Sequence, residues 1–251
     1  MVSPFDLLKQ AIKLFFANFL YFLKFMLVRF GLIMITFLLM LIPLMTSGIF
    51  SHYSFITNSI TPFFPHLGPG TIIAIIVLSL LEIVVSLWLN ASQYIQIKAV
   101  TENSKISVKD LLKQGWGILG KFFITSIVAG LVVVLGFMLL FIPGIIFAVW
   151  FSFALPVLLF EEKSGPDALS RSRELVKGRF WQVAWYMAFP VLIIILVQAV
   201  GGTLATTISK QVGGIFNATI SILFIPAGTI MTIYSLLIYK VFSSTSKTTP
   251  T

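Results

Sequence analysis

Long apolar runs separated by short polar connections set the plan of this chain. A bilayer core of about 30 Å needs about 20 helical residues to cross it, and six runs read as membrane spans: 30–48, 71–97, 122–142, 145–160, 183–200 and 215–239. Pro143-Gly144 makes a tight turn between the third and fourth, and Pro226 bends or weakens the sixth. Residues 3–19 follow another pattern. Phe5, Leu8, Ile12, Phe15 and Phe19 recur at helical spacing, while Asp6, Lys9, Gln10 and Lys13 take the other face. That predicts an amphipathic helix lying in the membrane interface, and it lacks the continuous apolar core of a signal peptide. Residues 46–70 are aromatic and turn-rich without Lys or Arg, and read as an external loop. The segment GGTLATTISKQVGG at 201–214 reads as a second, shorter external connection, and 243–251 as a disordered tail on a single membrane domain of residues 1–242.

The polar stretch Ser164–Trp181 reads as a helix opening, with Ser164 as N-cap, Pro166 in the first turn and Asp167 three residues after the serine. The same opening occurs twice more. Ser3-Pro-Phe-Asp6-Leu-Leu-Lys-Gln and Ser107-Val-Lys-Asp110-Leu-Leu-Lys-Gln share six of eight residues. Each copy leads through an aromatic (Phe19, Phe122, Phe180) into an apolar run, and an Ile-Pro pair recurs at Ile42-Pro43, Ile142-Pro143 and Ile225-Pro226. The fold expected is an all-α integral membrane protein. Its six transmembrane helices form three repeats of an interfacial helix plus a two-span hairpin, over about 3–97, 107–160 and 164–240.

Composition agrees with that plan: 58% of residues are hydrophobic and 10% charged, too few charges to cover a soluble chain of 251 residues. Cysteine is absent, which excludes disulfides and thiolate metal sites. A net charge of +9 would suggest nucleic acid in a soluble protein. Here every one of the 17 Lys and Arg residues except Lys210 falls at the N-terminus, in the two polar connections or in the tail. The positive-inside rule then puts both termini in the cytoplasm, and nucleic acid is rejected. Lys109, Lys113, Arg171, Arg173, Lys177 and Arg179 are candidate contacts for anionic headgroups on that side. Lys24 and Arg29, near the start of the first span, could reach headgroups by snorkelling.

Candidate chemistry is sparse. His52 and His66 sit in the external loop without a nearby acid, short of the three or four ligands a metal needs. The Asn217-Ala-Thr219 sequon is discounted because it lies in or beside the sixth span. No phosphate loop, dinucleotide fingerprint, nucleophile elbow or zinc helix is present, so neither cofactor nor metal is expected. Glu82 is the exception. It stands about 16 Å into the second span at 1.5 Å per residue, where an ionised side chain costs roughly 3 kcal/mol or more unless it faces protein or water. Ser79, Glu82, Ser86, Asn90 and Gln93 fall at steps of three or four and give this span one polar face. Arg29 is no obvious counter-ion, being about 12 Å nearer the cytoplasm by the same rise per residue.

One stretch carries a resemblance. Ile142-Pro143-Gly144, Leu155-Pro156-Val157, Glu161-Glu162, then Ala168-Leu169 with Arg171-Ser172, Leu175, Gly178 and Phe180-Trp181 follow one another in that order. This resembles the bacterial and archaeal membrane proteins labelled glycerophosphoryl diester phosphodiesterase membrane domain, with their YciC-like relatives. The typical pattern there is a Pro-Gly turn, a span, a Glu, then Ala-Leu-x-x-Ser-x-x-Leu-x-x-Gly and an aromatic. Where relatives place an acid after a final Tyr, this chain has Tyr239-Lys240-Val241. The resemblance implies six spans and an inner-membrane setting. It also implies that phosphodiesterase chemistry belongs to a separate soluble metal-dependent barrel, so no catalytic residue carries over. The reading that follows is a non-catalytic membrane protein acting through lipid or partner proteins in envelope maintenance. The alternative is a small proton- or solute-linked transporter with a midplane site at Glu82. A lipid enzyme would have only Glu161 and Glu162, which are better explained as a span end.

Overall fold

The structure is a computed structural model that describes residues 2–46, 68–208 and 210–246. The described residues form helices α1 (Pro4–Ala17), α2 (Phe19–Thr46), α3 (Pro69–Thr101), α4 (Val108–Leu139), α5 (Phe141–Trp150), α6 (Ala154–Glu161), α7 (Pro166–Val176), α8 (Phe180–Ile208) and α9 (Lys210–Ser246). Five segments among them are long and apolar enough to cross a membrane: Phe19–Pro43, Pro69–Thr101, Val108–Leu139, Phe141–Glu161 and Phe180–Thr207. The chain is an all-α multi-pass membrane protein. The sixth expected run falls within α9, a helix of 37 residues that continues through Pro226. His52 and His66 lie outside the described residues.

Local chemistry explains where the helices start. Ser3 accepts a hydrogen bond from the Asp6 amide at 3.1 Å, and Ser107 from the Asp110 amide at 3.2 Å, so the two most alike openings make the same cap. The third differs from expectation. The N-cap of α7 is Gly165 at φ +57 rather than Ser164, and the Gly165 amide donates to Thr125 Oγ1 of α4 at 2.8 Å. Nor is each opening a separate helix. Asn18 separates α1 from α2, and Gly178 at φ +79 turns the chain between α7 and α8. The DLLKQ copy at 110–114 instead runs straight on into the apolar part of α4.

Prolines act one turn upstream of themselves. A proline ring clashes with the carbonyl four residues earlier. Accordingly α4 stops at Leu139, four before Pro143, and the reversal takes place at extended Leu140. The expected Pro143-Gly144 turn is therefore the first turn of α5. Likewise the fourth span breaks at Phe151–Phe153, with Ser152 four before Pro156, instead of running unbroken. Residues 201–208 and 210–214 are helical rather than an open external connection. There Thr206 and Thr207 donate back to the carbonyls of Gly202 and Thr203 at 2.9 and 2.7 Å, satisfying hydroxyls without leaving the helix. Residues 243–246, expected in the tail, extend α9, with Ser243 and Ser244 bonded to the carbonyls of Lys240 and Val241.

The packed core lies toward one end of the bundle. Leu7, Ala11 and Phe15 of α1 join Ile97 and Val100 of α3, Val157 and Leu159 of α6, Leu175 of α7, Val183 of α8 and Ile233, Tyr234, Leu236, Ile238, Tyr239 and Phe242 of α9. At this end Lys98 donates to the Leu159 carbonyl at 2.7 Å and Lys240 to the Thr101 carbonyl at 3.0 Å, tying the C-termini of α3, α6 and α9 together. Elsewhere α2, α3, α4 and α8 expose Leu, Ile, Val and Phe along their length, as lipid-facing helices do. Two glycine contacts set the closest helix approaches. A Cβ on Gly115 of α4 would stand 2.0 Å from Ser92 Oγ of α3, and one on Gly144 would stand 2.4 Å from the Phe137 ring across the α4–α5 hairpin.

Candidate functional site

The polar face of α3 is bonded to its neighbours in two separate groups. Toward the start of α3, the Thr36 hydroxyl of α2 donates to Glu82, and Ser86 donates to the same carboxylate at 3.3 Å. Ser79 is half-buried one turn further along this face. About 12 Å along the helix pair, at 1.5 Å per residue, Arg29 of α2 takes the second group. Its guanidinium donates to Asn90 Oδ1 at 3.1 Å and to Gln93 Oε1, while Gln93 Nε2 donates to Thr229 Oγ1 of α9 at 2.8 Å. Asn90 and Gln93 both turn their amide oxygens to the guanidinium, the arrangement an unpaired cation demands. Arg29 is therefore held inward against α3.

Around that second group lies a half-open cavity of about 400 Å³ between α2, α3 and α9. Arg29, Asn90, Gln93, Gln96, Thr229 and Thr232 supply its polar lining, and Phe22, Phe25, Met26, Phe30 and Ile33 its apolar walls. Glu82 is not among the lining residues. Ion pairs among the described residues join only Lys163, Arg171, Glu161 and Glu174, so no carboxylate there neutralises Arg29. A guanidinium has five N–H donors, of which neutral amides take two here. Asn90 lies 21 residues beyond Pro69, about 31 Å along α3. That is one hydrocarbon thickness from the start of the helix.

The second polar cluster closes the core end. Arg171 Nε donates to Glu161 at 2.9 Å and Arg171 Nη1 to Glu174 at 3.1 Å, while the Tyr239 hydroxyl donates to Glu161 at 2.9 Å. Burial would lower the Arg171 pKa, but the bonds to Glu161 and Glu174 outweigh it and hold the group above its ordinary value. Arg173 lies 4.5 Å over the Trp150 ring. These two of the six candidate lipid cations thus have partners within the protein. Lys109, Lys113 and Lys177 are exposed, and Arg179 is partly so. Glu161→Gln should lower stability by about 1–2 kcal/mol, the discounted value of a charge-assisted bond whose side chains remain about a quarter exposed. Thermal unfolding in detergent checks this, and an unchanged midpoint would show the cluster to be idle.

The stretch that carried the sequence resemblance is built into this closure. Ser172, fully buried, donates to the Trp150 carbonyl at 2.6 Å and accepts from the Phe153 amide at 3.1 Å, bridging the α5–α6 break. Residues 129–248 match the family model described as the membrane domain of glycerophosphoryl diester phosphodiesterase. Over these residues the chain is similar to that family. The match extends well past the Phe141–Trp181 stretch and takes in α8 and α9. No curated protein and no solved structure matches the chain. In this chain the Glu161, Arg171, Ser172 and Gly178 positions join helices to one another. Among the described residues no group of His, Cys, Asp or Glu is placed to hold a metal ion.

The sequence pattern pointed to Asn90 and Gln93, gave Arg29 only as a snorkelling cation, and left Thr36 and Thr229 unnamed. A signal was present. Arg29 and Thr36 are seven residues apart, two turns on one face of a mostly apolar helix, matching the two polar groups of α3.

Proposed function

We propose that this is a non-catalytic inner-membrane protein that acts by engaging anionic lipid, with α9 as a sixth span and both termini in the cytoplasm. The three units differ in their openings, the middle one fusing its amphipathic start to a span. The observation that carries the lipid reading is the composition of the core end. Exposed Lys109, Lys113 and Lys177 share that end with Trp116 and Trp181, 61% and 82% exposed. Cations beside solvent-facing indoles suit the headgroup layer. Each cation near an anionic surface contributes about 1 kcal/mol, so these three together with the partly exposed Arg179 would enrich anionic lipid around the protein. The transport alternative finds less support, because Glu82 is closed onto Thr36 and Ser86 and does not line the cavity.

The test is a count of co-purified lipid. Replacing Lys109, Lys113, Lys177 and Arg179 together by Gln should bring the ratio of phosphatidylglycerol to phosphatidylcholine around the protein close to that of the bulk mixture. Persistence of the wild-type enrichment would remove the support for the reading. The orientation has its own test. The chain has no cysteine, so single cysteines at Ser244 and at His66 should label from opposite sides of sealed vesicles.

A further inference from the structure

We propose that the α2–α3–α9 cavity is a discrete site for one phospholipid, with the lipid phosphate on Arg29 and an acyl chain along the apolar wall. The inference rests on the reading that this protein acts through lipid, and it assigns that reading a particular intramembrane site distinct from the exposed cations. Four observations converge. Arg29 lies among neutral partners, with N–H donors left over for an incoming acceptor. The cavity's volume falls in the range of small-ligand sites. Its lining is divided, hydrogen-bonding groups on one side and Phe22, Phe25, Met26, Phe30 and Ile33 on the other, matching an amphiphile and not a fully hydrated solute. Its depth places Arg29 about one hydrocarbon thickness along α3, where the phosphates of one leaflet lie.

Charge settles the class of ligand. A guanidinium at the edge of hydrocarbon with only amide acceptors is under-compensated, and a phosphate offers bidentate acceptors and the opposite charge. A zwitterionic phospholipid brings its own cation to the site, so a net anionic headgroup binds more tightly.

Native mass spectrometry of delipidated full-length protein titrated with phosphatidylglycerol, phosphatidylcholine or inorganic phosphate tests this. Wild type should retain one phosphatidylglycerol per chain at least tenfold more tightly than phosphatidylcholine, with inorganic phosphate unable to displace it. Arg29→Gln should lose that one lipid, weakening it by 10- to 100-fold, while leaving the looser surrounding enrichment in place. Gly228→Leu is the control for folding. Gly228 lines the cavity, and a Cβ there meets nothing within 4 Å, so leucine fills the space with Arg29 and its amide partners untouched. This variant should stay folded, with an unfolding midpoint at least equal to wild type, yet lose the same lipid. Retention of the tight lipid by either folded variant would overturn the proposal, as would equal displacement by inorganic phosphate. Replacement of the four surface cations should have the reverse effect, removing enrichment but sparing the tight lipid, so the two readings fail separately.

Discussion

Replacing Gly115 by valine should cost at least about 3 kcal/mol, the upper end of the overpacking range, and leave little folded protein in detergent. A Cβ at this position would stand 2.0 Å from Ser92 Oγ, 3.0 Å from Ser92 Cβ and 3.0 Å from the Ser92 backbone nitrogen. The hydroxyl could rotate away, but the α3 backbone cannot without displacing the buried residues around it. Ser92 is itself fully buried, its hydroxyl donating to the Trp88 carbonyl at 2.9 Å. Small residues at such a crossing let two helix backbones approach, which is how membrane helices gain packing without a hydrophobic driving force. The pair should therefore couple. Gly115→Ala should be markedly destabilising alone and mostly recovered by Ser92→Gly, giving an interaction energy of about 1–2 kcal/mol in a double-mutant cycle. Thermal unfolding of the four proteins measures it, and additive effects would mean that the crossing is loose.

Ser172→Ala should destabilise by about 2–3 kcal/mol, near the top of the range for orphaning a buried donor. The hydroxyl serves both sides of the α5–α6 break, accepting from the Phe153 amide and donating to the Trp150 carbonyl. Alanine removes one side-chain atom but strands a buried N–H where water is scarce. Threonine keeps the hydroxyl and should retain more stability than alanine. Unfolding midpoints of Ser172→Ala and Ser172→Thr separate loss of the bonds from simple packing. Equal midpoints for wild type and alanine would show that the break does not depend on this bridge.

Helix starts and the apolar runs were legible because both depend on local chemistry. Ser3 and Ser107 cap as their spacing suggests, and the runs for the first five spans emerge as apolar helices. The ends were misplaced where a proline acts at a distance. Pro143 and Pro156 were visible, but their effect falls four residues earlier, at Leu139 and Ser152. The polar face of α3 was legible from its period alone. Its partners were not, since the register of α2 against α3 depends on a connection whose length does not fix it. Arg29 consequently read as a snorkelling cation, whereas it lies opposite Asn90 and Gln93. Arg171 read as a free lipid contact for a similar reason: Glu161 is ten residues away in the chain and reaches it only through the α6–α7 turn.

The central claim is that Arg29 faces a lipid phosphate within the bilayer, and a nitrogen–phosphorus distance measurement tests it most directly. Solid-state NMR on arginine-labelled protein in phosphatidylglycerol bilayers reports which guanidinium nitrogens lie close to phosphorus. Arg29 is one of four arginines, with Arg171, Arg173 and Arg179, so Arg29→Gln assigns its resonance by difference. Strong phosphorus dephasing of the Arg29 guanidinium, retained in the variant lacking the surface cations and lost in Gly228→Leu, is the predicted result. An Arg29 signal untouched by phosphorus in wild-type protein would contradict it.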